Sequence, residues 1–184
     1  MLQVIDNAEF ERHLEELAIP IEQKFDIETQ YKVALRNYTL RRFEDINEGI
    51  WRGEEDPKHL RAVTVLNEAL QWLDKFEGQY VVRWTNLTPE LIEKFKRQDE
   101  VIVEYGFTST SADPGFTMAG KSYRLVIEHL NGKYIKPFSE YPWEEEVLIP
   151  APSFYIVQKF DDEQRYAVLQ QIDPKELDVV EEEQ

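Results

Sequence analysis

Residues 141–150 read Tyr-Pro-Trp-Glu-Glu-Glu-Val-Leu-Ile-Pro, which places three consecutive acids at the entry to an apolar strand. Because side chains alternate between the two faces of a strand, the pattern predicts Glu144 and Glu146 on one face and Glu145 on the other. Two carboxylates on one face repel each other, so the arrangement needs a reason. Taken alone, the stretch favours the simplest interpretation, an acidic turn on an acidic protein.

Two further stretches upstream carry polar groups in strand-like surroundings. Arg83 is centred in the run Val-Val-Arg-Trp of residues 81–84, and an arginine on a buried face is costly unless it meets an anion. Its planar guanidinium suits a phosphate or a carboxylate. Residues 107–111, Phe-Thr-Ser-Thr-Ser, offer hydroxyls that can bond a sugar or a side chain, or cap a turn. Taken singly, an arginine on a solvated edge strand and a plain turn are the favoured interpretations.

The rest of the chain divides into a helical and a β-rich part. Residues 1–76 are predicted to be mainly helical, and residues 79–173 carry short β-rich runs that lie too close together for crossover helices. The pattern predicts an α+β fold with helices first and antiparallel or mixed sheets after them. Residues 176–184 are predicted to be a fraying acidic tail, and residues 1–184 a single domain.

Within the helical part, four helices are predicted. The first runs from a cap at Asp6 or Asn7 to about Leu17. Two more are predicted over residues 27–38 and 43–53, and Asp56-Pro57 is expected to cap a fourth that carries an apolar stripe.

Composition and charge exclude several classes of protein. The 184 residues are 42% hydrophobic, and 37 acids against 21 Lys and Arg give a formal charge of −16, which repels nucleic-acid phosphates and attracts a basic protein target. The absence of cysteine excludes disulfide scaffolds, thiolate zinc sites and cysteine nucleophiles. The three histidines, His13, His59 and His129, are too far apart in sequence to suggest a metal centre, so no metal is expected. The N-terminus lacks the pattern of a secretory signal, and no run of 18 apolar residues predicts a membrane span.

The three polar stretches together change the interpretation. An arginine strand, then a hydroxyl strand, then a Glu-x-Glu strand resembles the R-S-E class of mono-ADP-ribosyltransferases, in its arginine-specific exoenzyme and toxin branch. The similarity is close over residues 138–154. Upstream, Tyr38-Thr39 and Ile46-Asn47 resemble the helical motif that precedes the arginine strand in toxins of this class.

The resemblance implies two packed sheets that form a cleft for NAD, with the helical part beside them. It also assigns roles by position. Arg83 would hold a phosphate of NAD, and Ser109 would orient the nicotinamide ribose and the catalytic glutamate, with Thr110 beside it in the NAD-binding set. Glu146 would be the catalytic glutamate, and Glu144 would engage the guanidinium of the target arginine.

Further contacts follow from the same resemblance. The backbone at Trp84, where many relatives have glycine, would meet the nicotinamide carboxamide. Residues 112–121 would cover the phosphate and nicotinamide, with Phe116 as the candidate for stacking on the nicotinamide ring. Tyr141 or Trp143 would point at the target protein.

The implied chemistry suits two carboxylates. Breaking the nicotinamide–ribose bond makes an oxocarbenium-like cation, and nicotinamide leaves as a neutral group without a general acid. A carboxylate near the ribose stabilises that cation, and a second one can bind a guanidinium and hold one nitrogen for attack. Two alternatives stay open: an NAD glycohydrolase with water as the acceptor, and a catalytically inactive interaction module of the same fold.

The resemblance also indicates partners and location. The expected partners are NAD as co-substrate and a target protein with an accessible arginine, with an immunity or delivery protein as a further candidate and no nucleic acid. A bacterial effector that is secreted or injected into a target cell cytosol is the expected setting, and a cytoplasmic protein is the alternative.

Overall fold

The helices come first in the chain, as predicted. The computed structural model describes residues 29–53, 55–98, 100–139 and 141–176. Helix α1 spans Thr29–Asn37, a π-helical turn covers Tyr38–Arg42, α2 spans Phe43–Trp51, and α3 spans Pro57–Gln71. The predicted first helix and all but the first residue of the predicted acidic tail lie outside the described residues.

Local sequence signals explain the helix boundaries. The Asp56 side chain accepts a hydrogen bond of 2.8 Å from the Lys58 amide, and Pro57 occupies the first turn, which confirms the predicted cap. The two separate helices predicted for residues 27–38 and 43–53 form instead one helical run, because no proline or glycine interrupts it between Tyr38 and Phe43. None of the helices in the described ranges is long and apolar enough to cross a membrane.

Eight strands and one further helix follow. The strands are β1 Tyr80–Thr85, β2 Ile102–Glu104, β3 Thr108–Ser111, β4 Tyr123–Glu128, β5 Lys133–Tyr134, β6 Glu146–Ile149, β7 Ser153–Asp161 and β8 Tyr166–Ile172. Helix α4, Pro89–Arg97, lies between β1 and β2, and Thr88 caps it by accepting from the Leu91 amide. Two single turns of 3-10 helix, Lys136–Phe138 and Pro142–Glu144, precede β6.

The strands are hydrogen-bonded into one sheet, and the two packed sheets that were predicted are the two halves of it. Its order is β2-β7-β8-β4-β1-β3-β6-β5. All neighbours are antiparallel except β4 and β8, which are parallel. Strands β1 and β3 join through a single residue pair, Val82 opposite Ser111, so a five-stranded half and a three-stranded half meet at a narrow joint. The fold is α+β, as predicted.

Two apolar clusters hold the layers together. In the first, Leu35, Leu66 and Leu70 of the helices pack with Phe107 and with Leu148 of β6. In the second, Val147 and Ile149 of β6 pack with residues of β1, β4, β7 and β8, so the two halves of the sheet face each other across an apolar core. Because β6 is covered on both faces, its four residues are all buried, including the acid at its start.

Candidate active site

A cleft of about 680 Å³ opens beside the joint between β1 and β3. One wall comes from the helical part and the opposite wall from the strands and the loop 112–121. Of the residues predicted for the site, all except Trp143 line this cleft. The lining residues are Tyr38, Thr39, Asn47, Glu48, Trp51, Val82, Arg83, Trp84, Thr85, Phe107, Ser109, Thr110, Ser111, Phe116, Met118, Lys121, Tyr141, Glu144 and Glu146.

Arg83 lies in an interior strand, so its interpretation as a solvated edge-strand residue is wrong. Strand β1 pairs with β4 on one side and with β3 on the other. The side chain is half-buried, and its Nη1 donates a hydrogen bond of 2.8 Å to the Ser109 carbonyl. An arginine has five N–H donors, so this bond fixes the guanidinium and leaves other donors for an anion in the cleft.

Glu146 is the buried acid of the cleft. Its side chain is 6% exposed, and Oε2 makes no hydrogen bond to any described residue. The Ser109 side chain lies beside the Glu146 carboxylate and stabilises its charged form. Burial, together with the nearby negative charge of Glu144, raises the pKa of Glu146 to about 8, and Ser109 and Arg83 oppose this shift. A buried carboxylate oxygen without a partner is costly unless a ligand meets it.

Glu144 reaches the same cleft by a different geometry from the one predicted. It ends a 3-10 turn, Glu145 has a left-handed backbone with φ 46°, and the strand begins at Glu146, so strand alternation does not apply. The turn is held to β3 because the Ser111 hydroxyl donates to the Glu144 carbonyl at 2.8 Å and the Ala112 amide to the Glu145 carbonyl at 2.9 Å. Burial raises the pKa of Glu144.

Glu145 is turned away from the pair. Its carboxylate lies 3.5 Å from Lys136 Nζ and accepts a hydrogen bond of 3.5 Å from the Tyr134 hydroxyl. Both partners of the ion pair are more than a third exposed, so the pair contributes little stability, and its effect is to direct the middle acid away from the cleft.

The loop 112–121 is fastened to β1 and β4 at three points. The Trp84 indole donates to the Phe116 carbonyl at 2.6 Å, Asn86 donates to the Gly120 carbonyl at 3.2 Å, and Arg124 donates to the Pro114 carbonyl at 3.1 Å. The Trp84 indole is thus occupied in holding the loop. Phe116 lines the cleft from this loop.

The remaining predicted residues differ in how they meet the cleft. Thr110 lines it, but its hydroxyl donates to the Val147 carbonyl at 2.6 Å and is committed to holding β3 on β6. Tyr141 lines the cleft and is half-buried. Trp143 does not line the cleft. It is 69% exposed and packs edge-on against the Tyr141 ring, with 5.3 Å between ring centroids.

The helical wall carries residues to which the sequence assigned no site role. Asn47 and Trp51 line the cleft from α2, where their i, i+4 spacing puts them on one face of the helix. The buried Asn47 side chain donates to the Phe107 carbonyl at 3.2 Å and accepts from its amide at 2.8 Å, which fixes the start of β3. Trp51 donates to Glu104 at 2.8 Å. The sequence signal that could have found them is the i, i+4 spacing of Asn47 and Trp51, which puts both on one face of a predicted helix.

Removing the Asn47 amide is expected to destabilise the protein. Asn47→Ala leaves the Phe107 N–H and C=O buried without these partners, so the free energy of unfolding falls by about 1–3 kcal/mol. Urea unfolding followed by circular dichroism measures it. Gln158→Ala, which removes an exposed amide bonded to Gln170, is the control and is expected to stay within about 0.5 kcal/mol of wild type. Equal midpoints for the two variants contradict the role of Asn47.

The cleft combines a cation, a hydroxyl and two carboxylates of different burial. Such a set suits a ligand that carries phosphates near Arg83 and develops positive charge near Glu146. The volume lies within the range of roughly 300–1,000 Å³ that is usual for ligand pockets. In the described part of the chain, no three histidine or acidic side chains are grouped as metal ligands.

Comparison with known proteins identifies the family. Residues 21–179 match the family model described as ADP-ribosyltransferase exoenzyme. The protein Mav of Mycobacterium avium (strain 104), whose name provisionally describes it as an NAD(+)--arginine ADP-ribosyltransferase, is 38% identical over 136 residues. These cover 71% of this chain and 16% of Mav, so the chain spans only a small part of that relative's length.

Solved structures share the fold at low identity. The ADP-ribosyltransferase HopU1 of Pseudomonas syringae pv. Tomato DC3000 has a TM-score of 0.74 and 18% identity, over 91% of this chain and 88% of HopU1. Exoenzyme S of Pseudomonas aeruginosa, solved with human 14-3-3 protein beta and carba-NAD, has a TM-score of 0.69 and 20% identity, over 90% of this chain and 82% of the exoenzyme chain. The match of the family model from residue 21 to residue 179, together with this shared fold, shows that the chain belongs to the ADP-ribosyltransferase exoenzyme family.

Proposed function

We propose that this protein transfers ADP-ribose from NAD to arginine side chains of a target protein and releases nicotinamide. The observation that carries the proposal is the pairing of a buried acid, Glu146, with a less buried acid, Glu144, in one cleft that also holds Arg83 and Ser109. Family membership supports NAD as the co-substrate, and the name of Mav supports arginine as the acceptor.

The proposed NAD site runs along the strand wall of the cleft. The Arg83 guanidinium, fixed by the Ser109 carbonyl, would pair with a phosphate. Phe116 would stack on the nicotinamide, and its loop is already held in place by Trp84. Thr110 supports the site through its bond to β6.

Glu146 would act on the ribose. Its Oε2, which bonds to none of the described residues, would accept a hydrogen bond from the 2′-hydroxyl. Its negative charge would stabilise the positive charge that develops on the sugar as the bond to nicotinamide breaks. The neighbouring Ser109 hydroxyl would orient the carboxylate toward the ribose. No proton is needed by the leaving group, because nicotinamide departs as a neutral molecule.

Glu144 would hold the acceptor. It is the more exposed of the two acids and ends the turn that begins after Tyr141, so an arginine that approaches from solvent meets it first. A carboxylate can bind a guanidinium through two parallel hydrogen bonds and so hold one nitrogen for attack on the sugar. The exposed Trp143, braced by Tyr141, would contact the target protein.

The rate of NAD cleavage is expected to depend on pH through Glu146. The carboxylate is the active form and the protonated acid is not, so kcat/KM for nicotinamide release should rise with pH around a midpoint near 8. In Glu144→Gln the midpoint moves to lower pH, because the negative charge of Glu144 is one cause of the raised pKa. A kcat/KM that does not change between pH values below and above this midpoint contradicts the role of Glu146.

Three outcomes separate the candidate functions. Calorimetric titration with NAD, followed by incubation with labelled NAD and a protein extract, should give binding heat, nicotinamide release and label on protein. Binding with release of free ADP-ribose alone indicates an NAD glycohydrolase. Neither heat nor release indicates an inactive interaction module.

The family also supports a setting. HopU1 and exoenzyme S come from bacteria, and exoenzyme S was solved with a human protein. We infer that this chain is a catalytic domain of a secreted or injected bacterial effector that acts in a target cell, and that residues 1–184 fold as one unit. The formal charge of −16 suits a basic target protein, and an immunity or delivery protein is a further candidate partner.

A further inference from the structure

A second cavity, of about 430 Å³, adjoins the cleft at Trp84, which lines both. Its floor is one row across four strands. Trp84 of β1 lies opposite Arg124 of β4, Arg124 opposite Tyr166 of β8, and Tyr166 opposite Asp161 of β7. Residues directly opposite each other in a sheet share a face, so these side chains form a continuous surface.

Three cations line this cavity, and the Arg165 guanidinium lies over the Tyr123 ring, 6.0 Å from its centroid. The three cations are Arg124, Lys159 and Arg165, and no carboxylate of the described residues lies within salt-bridge distance of any of them. Arg124 and Lys159 both approach the Tyr166 ring, at 5.9 and 5.8 Å from its centroid. Asp161 also lines the cavity, but its Oδ1 accepts from the Gln164 amide at 3.0 Å.

This arrangement is unusual for so acidic a chain. With 37 acids against 21 Lys and Arg, a cation has many carboxylates to pair with, yet three cations repel one another around one cavity. Arg124 spends one N–H on the Pro114 carbonyl and keeps four others. The cluster would be stabilised by an anion that binds between the cations.

We propose that this cavity binds a small phosphorylated molecule, separately from the NAD cleft. The two guanidinium groups and the ammonium would pair with phosphate oxygens, and the Tyr166 and Trp84 rings would pack against the rest of the molecule. The volume is that of a small-ligand pocket, and the cations surround one cavity rather than forming the extended stripe that an acidic polypeptide needs. The inference does not depend on the proposed function of the cleft.

Nuclear magnetic resonance with pyrophosphate tests the site. The titration uses Arg83→Gln protein, which lacks the cation of the NAD cleft. Saturable shifts are expected for the backbone amides of Arg124, Gln164 and Tyr166. Adding Arg124→Gln and Arg165→Gln together should weaken binding at least ~10-fold, the scale of losing charge-assisted hydrogen bonds.

The matched control is Lys58→Gln combined with Lys94→Gln, which removes two positive charges from exposed lysines of α3 and α4 and should leave the affinity unchanged. Equal weakening by this control indicates attraction by overall charge and overturns the proposal. Absence of shifts in the cavity, or shifts confined to Ser109 and Glu146, overturns it as well. A glutamate-rich peptide that binds the cavity more tightly than pyrophosphate assigns the surface to an acidic protein segment instead.

Discussion

Glu146→Gln should lower kcat for nicotinamide release by at least ~10²-fold, the typical cost of removing one preorganised electrostatic group. Glutamine keeps the size and the hydrogen-bonding oxygen but loses the charge that would stabilise the developing cation on the ribose. The loss should fall mainly on kcat, because Arg83 and the loop 112–121 remain to bind NAD. Steady-state assays of nicotinamide release measure it.

The stability of the same variant is its internal control. Folding raises the pKa of Glu146 from the ordinary value of 4.5 to about 8. Between these two pH values the folded protein holds a proton that the unfolded chain has already released. Wild-type stability contributed by this group therefore falls as pH rises between those values. Glu146→Gln has no such proton to lose. Its melting temperature should therefore equal or exceed that of wild type at a pH above the raised pKa of Glu146. An inactive variant with a lower melting temperature there points to misfolding, and near wild-type kcat refutes the assigned role.

Glu144→Gln should abolish labelling of protein and leave most of the NAD hydrolysis. The substitution removes the charge that would hold the incoming guanidinium, while Glu146, Ser109 and Arg83 keep their contacts with one another. A bidentate charged pair to arginine is geometrically specific, so a neutral amide does not replace it. Parallel assays of protein label and of free ADP-ribose give the two rates.

Glu145→Gln is the matched control, because it makes the same carboxylate-to-amide replacement at the neighbouring residue. Glu145 faces Lys136 and Tyr134 rather than the cleft, so both rates should stay at the wild-type level. Equal loss of labelling and hydrolysis in Glu144→Gln argues against a separate acceptor role. Loss of labelling in Glu145→Gln would mean that Glu145, and not Glu144, makes the acceptor contact.

Much of this fold could be predicted because its signals are local. The Asp56-Pro57 cap fixes the start of α3, and all eight strands lie within the β-rich part predicted over residues 79–173. The site residues could be named because three short motifs in a fixed order resemble one family. Their approach to one another rests on the pairing of β1 with β3 and of β3 with β6, which no local pattern contains.

The parts that could not be predicted depend on tertiary contacts and backbone conformation. Glu145 takes a left-handed φ that glycine or asparagine would signal and glutamate does not, so the sequence predicted a straight strand through all three acids. The bond from Trp84 to Phe116 joins residues 32 positions apart. The single pair that joins the sheet halves is likewise a matter of packing, because both halves must curve around the apolar core that Val147 and Ile149 share.

The proposed activity of this cleft is to split NAD and deliver ADP-ribose to an arginine. Incubation of wild-type protein with labelled NAD and a cell extract, followed by mass spectrometry, identifies the modified residue, with Glu146→Gln treated in parallel. We expect ADP-ribose on arginine side chains in the wild-type reaction and almost none with Glu146→Gln. Label on another type of side chain, or equal labelling by the two proteins, would contradict it.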